Sequence, residues 1–231
     1  MGEQRLRQWL IICVFIGLFT ACGGAAATAT PAPTPAIATT PSRGKAGIIV
    51  AMGDSLTEGL GVNMDDAYPA QLERKLHADG YDFTVINAGF SGETSSGALT
   101  RVNFVLKLKP DIVILGTGGN DSLRGVDPAL TQKNITQLVR TFKANHVIVV
   151  LAGMQTVQNM GTDYTQKFQA IYPAVAKAEG VILIPFFLEG VAGNPKLMQD
   201  DFIHPKPEGY AIVVKTIYPY VLQAIKALPK K

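Results

Sequence analysis

The sequence predicts an α/β fold, a three-layer αβα sandwich in which helices cover both faces of a five-stranded parallel sheet. From Gly47 onward, short apolar runs alternate five times with longer segments of helical periodicity, a pattern typical of parallel strand–helix units. The apolar runs are continuous, as expected of strands buried on both faces. Because crossover connections are right-handed, few topologies remain, and we predict the flavodoxin-like strand order 2-1-3-4-5.

The individual elements follow from local signals. The predicted strands cover residues 47–52, 83–87, 111–115, 147–151 and 181–184. The predicted helices cover residues 68–79, 94–108, 128–144, 163–179 and 207–226. Asp127-Pro128 supplies an N-cap followed by proline at the first helical position, and Gly80 and Gly180 suit helix C-termini.

Residues 1–22 have the features of an export signal. Arg5 and Arg7 give a positive start, and the apolar run 10–19 is too short for a permanent membrane span. The string FTAC, which ends at Cys22, resembles the lipobox of bacterial lipoproteins, in which the cysteine is lipidated and becomes the mature N-terminus. An ordinary cleaved signal and an uncleaved anchor remain alternatives.

The cysteine count agrees with lipidation. Cys13 and Cys22 are the only cysteines, and cleavage before Cys22 would remove the other, which leaves no disulfide in the mature chain. Residues 23–45 are rich in Ala, Thr and Pro and predict a disordered tether, so the folded domain would span 46–231. We therefore expect an exported protein, lipid-anchored to the bacterial envelope, in the outer membrane if the cell has two membranes.

The composition excludes several classes of partner. The formal net charge is +3 with no run of basic residues, so nothing in the sequence indicates nucleic acid binding. The sequence shows no metal-ligand cluster, and we expect no metal and no cofactor.

Chemically competent residues follow the carboxyl ends of the predicted strands, where ligands of such sheets bind. Ser55 follows the first strand, Gly89 the second and Asn120 the third, while Asp201 and His204 precede the last helix. A hydroxyl, a glycine backbone, an amide and an Asp/His pair therefore converge on one edge of the sheet.

A serine becomes a nucleophile only when a base accepts its proton. Of the three histidines, His77 lies among charged residues of a helix and His146 lies at the amino end of the fourth strand. Of the three, His204 alone lies at the carboxyl edge of the sheet with Ser55, which we call the active edge. Asp201, three residues earlier, is close enough to orient the imidazole, although spacing does not exclude Asp200.

The same edge offers hydrogen-bond donors for a developing oxyanion. Gly89 can bring its backbone N–H close to a substrate oxygen because it has no Cβ. The Asn120 side chain and the Ser55 backbone N–H supply two further donors. Gly53 and Gly59 would let the chain turn sharply on either side of Ser55.

Four motif blocks along the chain resemble those of the GDSL, or SGNH, hydrolases. They are GDSL at 53–56, Gly89 within NAGFSGETS, GGND at 118–121 and DFIHP at 201–205. The longer strings around these blocks resemble the arylesterase, thioesterase and lysophospholipase branch, and the similarity covers residues 47–226. It implies the SGNH hydrolase fold, with Ser55 as nucleophile, His204 as base, Asp201 as its orienting acid, and Ser55, Gly89 and Asn120 as the oxyanion hole.

The resemblance implies a serine hydrolase that cleaves acyl esters or thioesters through an acyl-enzyme intermediate. Its substrate would be a small molecule or a lipid of arylesterase, acyl thioesterase or lysophospholipase type. Two alternatives remain open, a carbohydrate O-acetylesterase and a catalytically silent binding lipoprotein. An intact set of base, orienting acid and oxyanion donors argues against the silent alternative.

One long connection, residues 152–162, borders the active edge. Met154, Val157 and Met160 interrupt its polar residues and predict a flexible apolar surface for an acyl chain. Gly153 and Gly161 flank these residues and are candidate hinges.

Overall fold

The computed structural model describes residues 47–156 and 158–229. The strands are β1 (Gly47–Gly53), β2 (Phe83–Gly89), β3 (Ile112–Gly116), β4 (Ile148–Ala152) and β5 (Ile182–Ile184). The helices are α1 (Ser55–Glu58), α2 (Tyr68–Ala78), α3 (Ser95–Lys107), α4 (Gly119–Leu123), α5 (Pro128–Ala144), α6 (Thr162–Glu179) and α7 (Pro207–Ala227). The predicted signal, tether and lipidation site Cys22 lie outside the described residues, as does Val157.

The five strands form one parallel sheet in the order β2-β1-β3-β4-β5, which confirms the predicted topology. The three central strands, β1, β3 and β4, are almost wholly buried, because helices cover the sheet on both sides. Helices α2 and α7 pack together on the sheet, and α5 packs against both α3 and α6. The strand most responsible for placing the site is β1, which lies between β2 and β3.

The helix boundaries agree with the predicted ones to within two residues, because the capping signals act locally. The Asp127 side chain accepts a hydrogen bond from Ala129 N at 2.9 Å, and Pro128 begins α5. Gly180 ends α6 in the left-handed conformation with φ of 63°. The glycine there avoids the clash that a Cβ would cause.

The strand bounds differ from the predicted ones by one or two residues, and two short helices were not predicted. β2 extends to Gly89, because Ala88 and Gly89 continue the ladder opposite Met52 and Gly53. The short helices α1 and α4 were not predicted, since four- and five-residue elements carry no measurable periodicity. Both begin directly beyond the carboxyl end of a central strand, and each carries a candidate site residue.

Within the described ranges, none of the helices combines the length and the apolar character that a membrane crossing needs.

Candidate active site

The candidate nucleophile lies at the start of a one-turn helix immediately after β1. Asp54 caps α1, and its Oδ1 accepts a hydrogen bond from Leu56 N at 3.0 Å. A Cβ on Gly53 would lie 2.1 Å from Thr57 Oγ1 and 2.6 Å from Gly116 O. Only glycine therefore lets the strand end this close to β3, which places Ser55 at the edge of the sheet.

Ser55, His204 and Asp201 form a continuous hydrogen-bonded chain. The Ser55 hydroxyl lies 2.8 Å from His204 Nε2, and His204 Nδ1 lies 2.6 Å from Asp201 Oδ2. With the proton on Nδ1, the ring donates to the carboxylate and its Nε2 accepts from the serine hydroxyl. Ser55 and His204 are both buried, at 8% and 9% exposure. This arrangement can remove the serine proton and return it to another oxygen.

The orienting acid is Asp201 rather than its neighbour Asp200, because it is Asp201 whose carboxylate binds the imidazole. Burial by itself raises the pKa of Asp201, but hydrogen bonds from the His204 side chain and from the His204 and Ile203 backbone outweigh it. The pKa falls to about 2, below its ordinary value of 3.8. Asp201 therefore stays ionised at any pH near neutrality and can stabilise an imidazolium ion.

Asn120 reaches the nucleophile from the next strand along the sheet. It lies in α4 after β3, and its Nδ2 donates to Asp54 Oδ2 at 3.3 Å. That bond uses one of the two amide hydrogens and leaves the other for a substrate oxygen. Asn120 and Ser55 both line the same cavity.

Asp121, the last residue of the GGND block, is fully buried, and its side chain stabilises the fold. Its carboxylate accepts hydrogen bonds from Ser95 N at 2.7 Å and Ser95 Oγ at 2.5 Å, and from Thr131 Oγ1 at 3.2 Å. These contacts fasten α4 to the start of α3 and to α5. They fix the direction in which Asn120 projects.

The prediction that Gly89 supplies an oxyanion donor is corrected by the structure. Its N–H donates to Asn87 Oδ1 at 2.9 Å, and Gly89 is the last residue of β2. A Cβ on Gly89 would lie 2.1 Å from Glu58 N, so glycine is needed there for close packing of β2 against α1.

Two other backbone N–H groups are candidate donors, one on the nucleophile itself and one in the loop after β2. The N–H groups of Ser55 and Gly92 make no hydrogen bond within the part of the chain that the structure describes. Gly92 has a φ of 77°, and its carbonyl accepts from Arg124 Nη2 at 2.7 Å, which joins its loop to the end of α4. Gly92 therefore replaces Gly89 as the candidate backbone donor from this loop. Its signal in the sequence, a glycine next to an acidic residue, was too common to distinguish it.

An ion pair that the sequence did not reveal supports the carboxyl end of β1, with its glutamate buried and its arginine partly buried. Arg101 binds the Glu93 carboxylate with Nε and Nη2, at 2.5 and 2.6 Å, and its Nη2 also donates to Gly53 O at 3.1 Å. Phe90 N donates to the same carbonyl at 2.9 Å. The residue directly before Asp54-Ser55 is thus held by two donors from the chain after β2.

A cavity of about 410 Å³ opens beside the triad. Its apolar wall includes Met154, Phe186, Leu188, Ala192 and Met198, three of which are almost fully buried. The volume suits a small organic group or a chain of several methylenes.

The structure divides the predicted substrate loop. Met154 lines the cavity, and Thr156 is hydrogen-bonded to Ser122 of α4. Met160 does not line it, contrary to our expectation, because it lies toward Gly125, where a Cβ would lie 3.6 Å from Met160 Cε. The place of Val157 stays a prediction. Sequence spacing gave the loop correctly but could not tell which side chains turn inward.

Asp54 differs from Asp201 in its ionisation. Burial raises the pKa of Asp54 from 3.8 to about 6, and the Leu56 N–H, His204 and Asn120 offset only part of the effect. The unfolded chain therefore releases this proton near pH 4, whereas the folded chain holds it until about pH 6. Between these values the folded state binds more protons, so the free energy of unfolding falls as the pH rises.

We predict that Asp54→Asn removes this loss. The free energy of unfolding of Asp54→Asn minus that of the wild type should increase by about 1–3 kcal/mol between pH 4 and pH 6.5, because the variant has no carboxyl to ionise. Urea unfolding at a series of pH values measures it. The wild type, measured over the same pH series, is the reference. A difference that stays flat over this pH range would contradict the raised pKa of Asp54.

Residues 51–212 match the model of the GDSL-like lipase/acylhydrolase family. The chain is 38% identical over 172 residues to esterase TesA of Pseudomonas aeruginosa, which covers 74% of this chain and 86% of the relative. It is 37% identical over 166 residues to thioesterase 1/protease 1/lysophospholipase L1 of Escherichia coli, which covers 71% of this chain and 78% of the relative.

A solved structure agrees with this result. The crystal structure of TesA superposes with a TM-score of 0.74 at 37% identity, covering 77% of this chain and 99% of that one. Residues 51–212, which match the family model, include Ser55, Asp201 and His204. The chain belongs to the GDSL-like lipase/acylhydrolase family.

Proposed function

We propose that this protein is a serine hydrolase that cleaves acyl esters or thioesters through an acyl-enzyme intermediate. The observation that carries the proposal is the unbroken chain from Asp201 through His204 to Ser55, with 2.6 and 2.8 Å between the bonded atoms. The relatives named as an esterase and as a thioesterase/lysophospholipase support the same reaction class.

In the first half of the reaction, His204 Nε2 accepts the hydroxyl proton while Ser55 Oγ bonds to the substrate carbonyl carbon. The proton then passes from Nε2 to the leaving oxygen or sulfur as its bond to carbon breaks. In the second half a water molecule takes the place of the leaving group, and the same proton transfers release the acid. Asp201 stays ionised throughout and holds the ring in the productive tautomer.

The negative oxygen of each tetrahedral intermediate needs donors that are already in place. We infer that the Ser55 N–H, the second amide hydrogen of Asn120 and the Gly92 N–H supply them. Ser55 N is the first N–H of α1, where helix geometry leaves it without an internal acceptor. Asn120 is held for the task by Asp54.

We expect Ser55→Ala and His204→Ala each to reduce kcat for ester hydrolysis by at least about 10³-fold, because either change removes the means of activating the nucleophile. The double variant should be scarcely worse than either single one, since the two residues act as a unit. Hydrolysis of a chromogenic ester measures both effects, and labelling of Ser55 by a fluorophosphonate probe reports nucleophile reactivity independently. His77→Ala, on the surface of α2, is the matched control and should retain activity.

Substantial turnover by Ser55→Ala, or additive losses in the double variant, would contradict the mechanism.

We propose that the acyl chain lies along the apolar wall that includes Met154, Leu188 and Met198. Burial of each additional methylene should raise kcat/KM about fourfold until the cavity is full, because removing its apolar surface from water stabilises the bound transition state by about 0.8 kcal/mol. We therefore predict a rise from acetyl to medium-chain esters of one alcohol, followed by a plateau. Met154→Ser should flatten the rise.

The control for this series is Met64→Ser, at a methionine that is 79% exposed and does not line the cavity. It should reproduce the wild-type profile. If acetyl esters were the best substrates and Met154→Ser left the profile unchanged, the acyl-wall assignment would fail and the carbohydrate O-acetylesterase alternative would take its place.

We also propose that the protein is exported and anchored to the envelope by lipid on Cys22. The support is the sequence alone, with its basic start, its short apolar run and the FTAC string. Cys22→Ser should move the protein from the membrane fraction to the soluble fraction without changing kcat, because the predicted tether would separate the anchor from the folded domain. A Cys22→Ser protein that was processed at the signal yet stayed with the membrane would contradict lipidation.

A further inference from the structure

Phe202 combines a large apolar side chain with a backbone conformation that side chains rarely adopt. Its φ is 57°, in the left-handed region, where a Cβ lies too close to the following carbonyl oxygen. Among the described residues, Lys109 and His146 are the other non-glycine residues with positive φ. Of the three, Phe202 alone lines the active-site cavity.

The turn around Asp201 accounts for the backbone at this position. Asp201 Oδ1 accepts hydrogen bonds from Ile203 N at 2.9 Å and His204 N at 3.0 Å, while Oδ2 binds the His204 ring. Phe202 N donates to Gln199 O at 3.0 Å and closes the turn on the other side. Glycine would satisfy this geometry with less strain. The turn therefore explains the positive φ but not the phenyl ring.

The ring does not contribute much to the core either. Phe202 is 61% exposed, whereas Met154, Leu188 and Met198 of the same cavity are 9% exposed or less. Ile203 and Leu123, which also line the cavity, are 37% and 47% exposed. The cavity thus has a buried apolar floor and an exposed apolar rim, and Phe202 is the largest and most exposed side chain of the rim.

The chemistry of acylation indicates which part of the substrate meets this rim. The bond from Ser55 Oγ to the carbonyl carbon forms, the bond from that carbon to the leaving oxygen breaks, and the serine proton passes through His204 Nε2 to that oxygen. The leaving group therefore lies on the His204 side of the reacting carbon. Phe202 is two residues before His204 on the same exposed turn.

We propose that Phe202 is a specificity-determining residue that packs against the leaving group of the substrate and favours aryl and other flat apolar alcohols. The inference rests on the proposed hydrolase function and adds the preference at the alcohol side of the site. Stacking on the exposed ring face stabilises the transition state for acylation, because the alcohol is still attached to the substrate at that point. The strain at residue 202 is retained because glycine would remove the ring.

The test compares esters that share one acyl group. In the full-length protein, Phe202→Gly and Phe202→Ala should each lower kcat/KM for 2-naphthyl acetate about tenfold more than for methyl acetate, since both variants lose the ring. Phe202→Tyr, which keeps the ring, should retain the wild-type ratio. Both substrates give the same acetyl-enzyme, and the alcohol that Phe202 would contact has already left it. The rate constant of deacylation should therefore agree within about twofold among the variants and the wild type.

A stability measurement separates the ring from the strain. Phe202→Gly should melt about 1–3 °C above Phe202→Ala, because only the glycine variant removes the Cβ from the left-handed conformation. Lys109 gives the matched control, since its φ is 54° and it is exposed outside the cavity. Lys109→Gly should exceed Lys109→Ala in melting temperature by a similar amount. Both Lys109 variants should keep the wild-type ratio of kcat/KM for 2-naphthyl acetate to kcat/KM for methyl acetate.

An unchanged naphthyl to methyl ratio in Phe202→Gly and Phe202→Ala would overturn the proposal. So would a loss that grows with acyl length in esters of a single alcohol, because it would place Phe202 on the acyl side. A wild-type protein that hydrolysed none of these esters and failed to react with a fluorophosphonate would instead contradict the proposed function itself.

Discussion

The hydrogen bond between His204 and Ser55 joins the start of α1, directly after the first strand, to the last loop before α7, across 149 positions of sequence. It forms only if β1 ends at the right place and the turn of Asp201 presents the ring at the right angle. Backbone contacts meet both requirements. Gly53 allows the close approach at the end of β1, and Asp201 Oδ1 accepts hydrogen bonds from two backbone N–H groups of its turn. The site therefore depends on how accurately two distant chain segments are fixed.

Buried polar contacts supply that accuracy. The pair of Arg101 and Glu93 holds the carbonyl of Gly53, and the Asp121 carboxylate ties α4 to α3 and α5. Such groups are expensive to remove from water, and they persist where each donor and acceptor is satisfied. Here they surround a nucleophile, an amide and an imidazole that must keep their positions while charge develops between them.

The pKa values of two carboxyl groups at the site are shifted in opposite directions. Burial dominates at Asp54 and raises its pKa to about 6, whereas three hydrogen bonds dominate at Asp201 and lower its pKa to about 2. The ionised Asp201 supports the positive charge that His204 acquires. Asp54, which directly precedes the nucleophile in the sequence, caps α1 and accepts a hydrogen bond from Asn120. Their environments thus separate a catalytic partner from a positioning group.

The sequence by itself determined the strand order and the extent of the long helices, because periodicity, capping residues and the edge of a parallel sheet are local or topological signals. It also brought Ser55, Asn120 and His204 to one edge of the sheet, but its spacing left Asp200 and Asp201 as alternatives, and only the hydrogen bond to His204 decides between them. It could not determine which glycine offers a free N–H, which methionine faces the cavity or that Arg101 reaches Gly53. These depend on side-chain direction and on contacts between segments far apart in the chain. Gly89 and Gly92 are equivalent candidates in the sequence, and only the structure shows that the Gly89 N–H donates to Asn87 Oδ1, whereas the Gly92 N–H makes no hydrogen bond within the described residues.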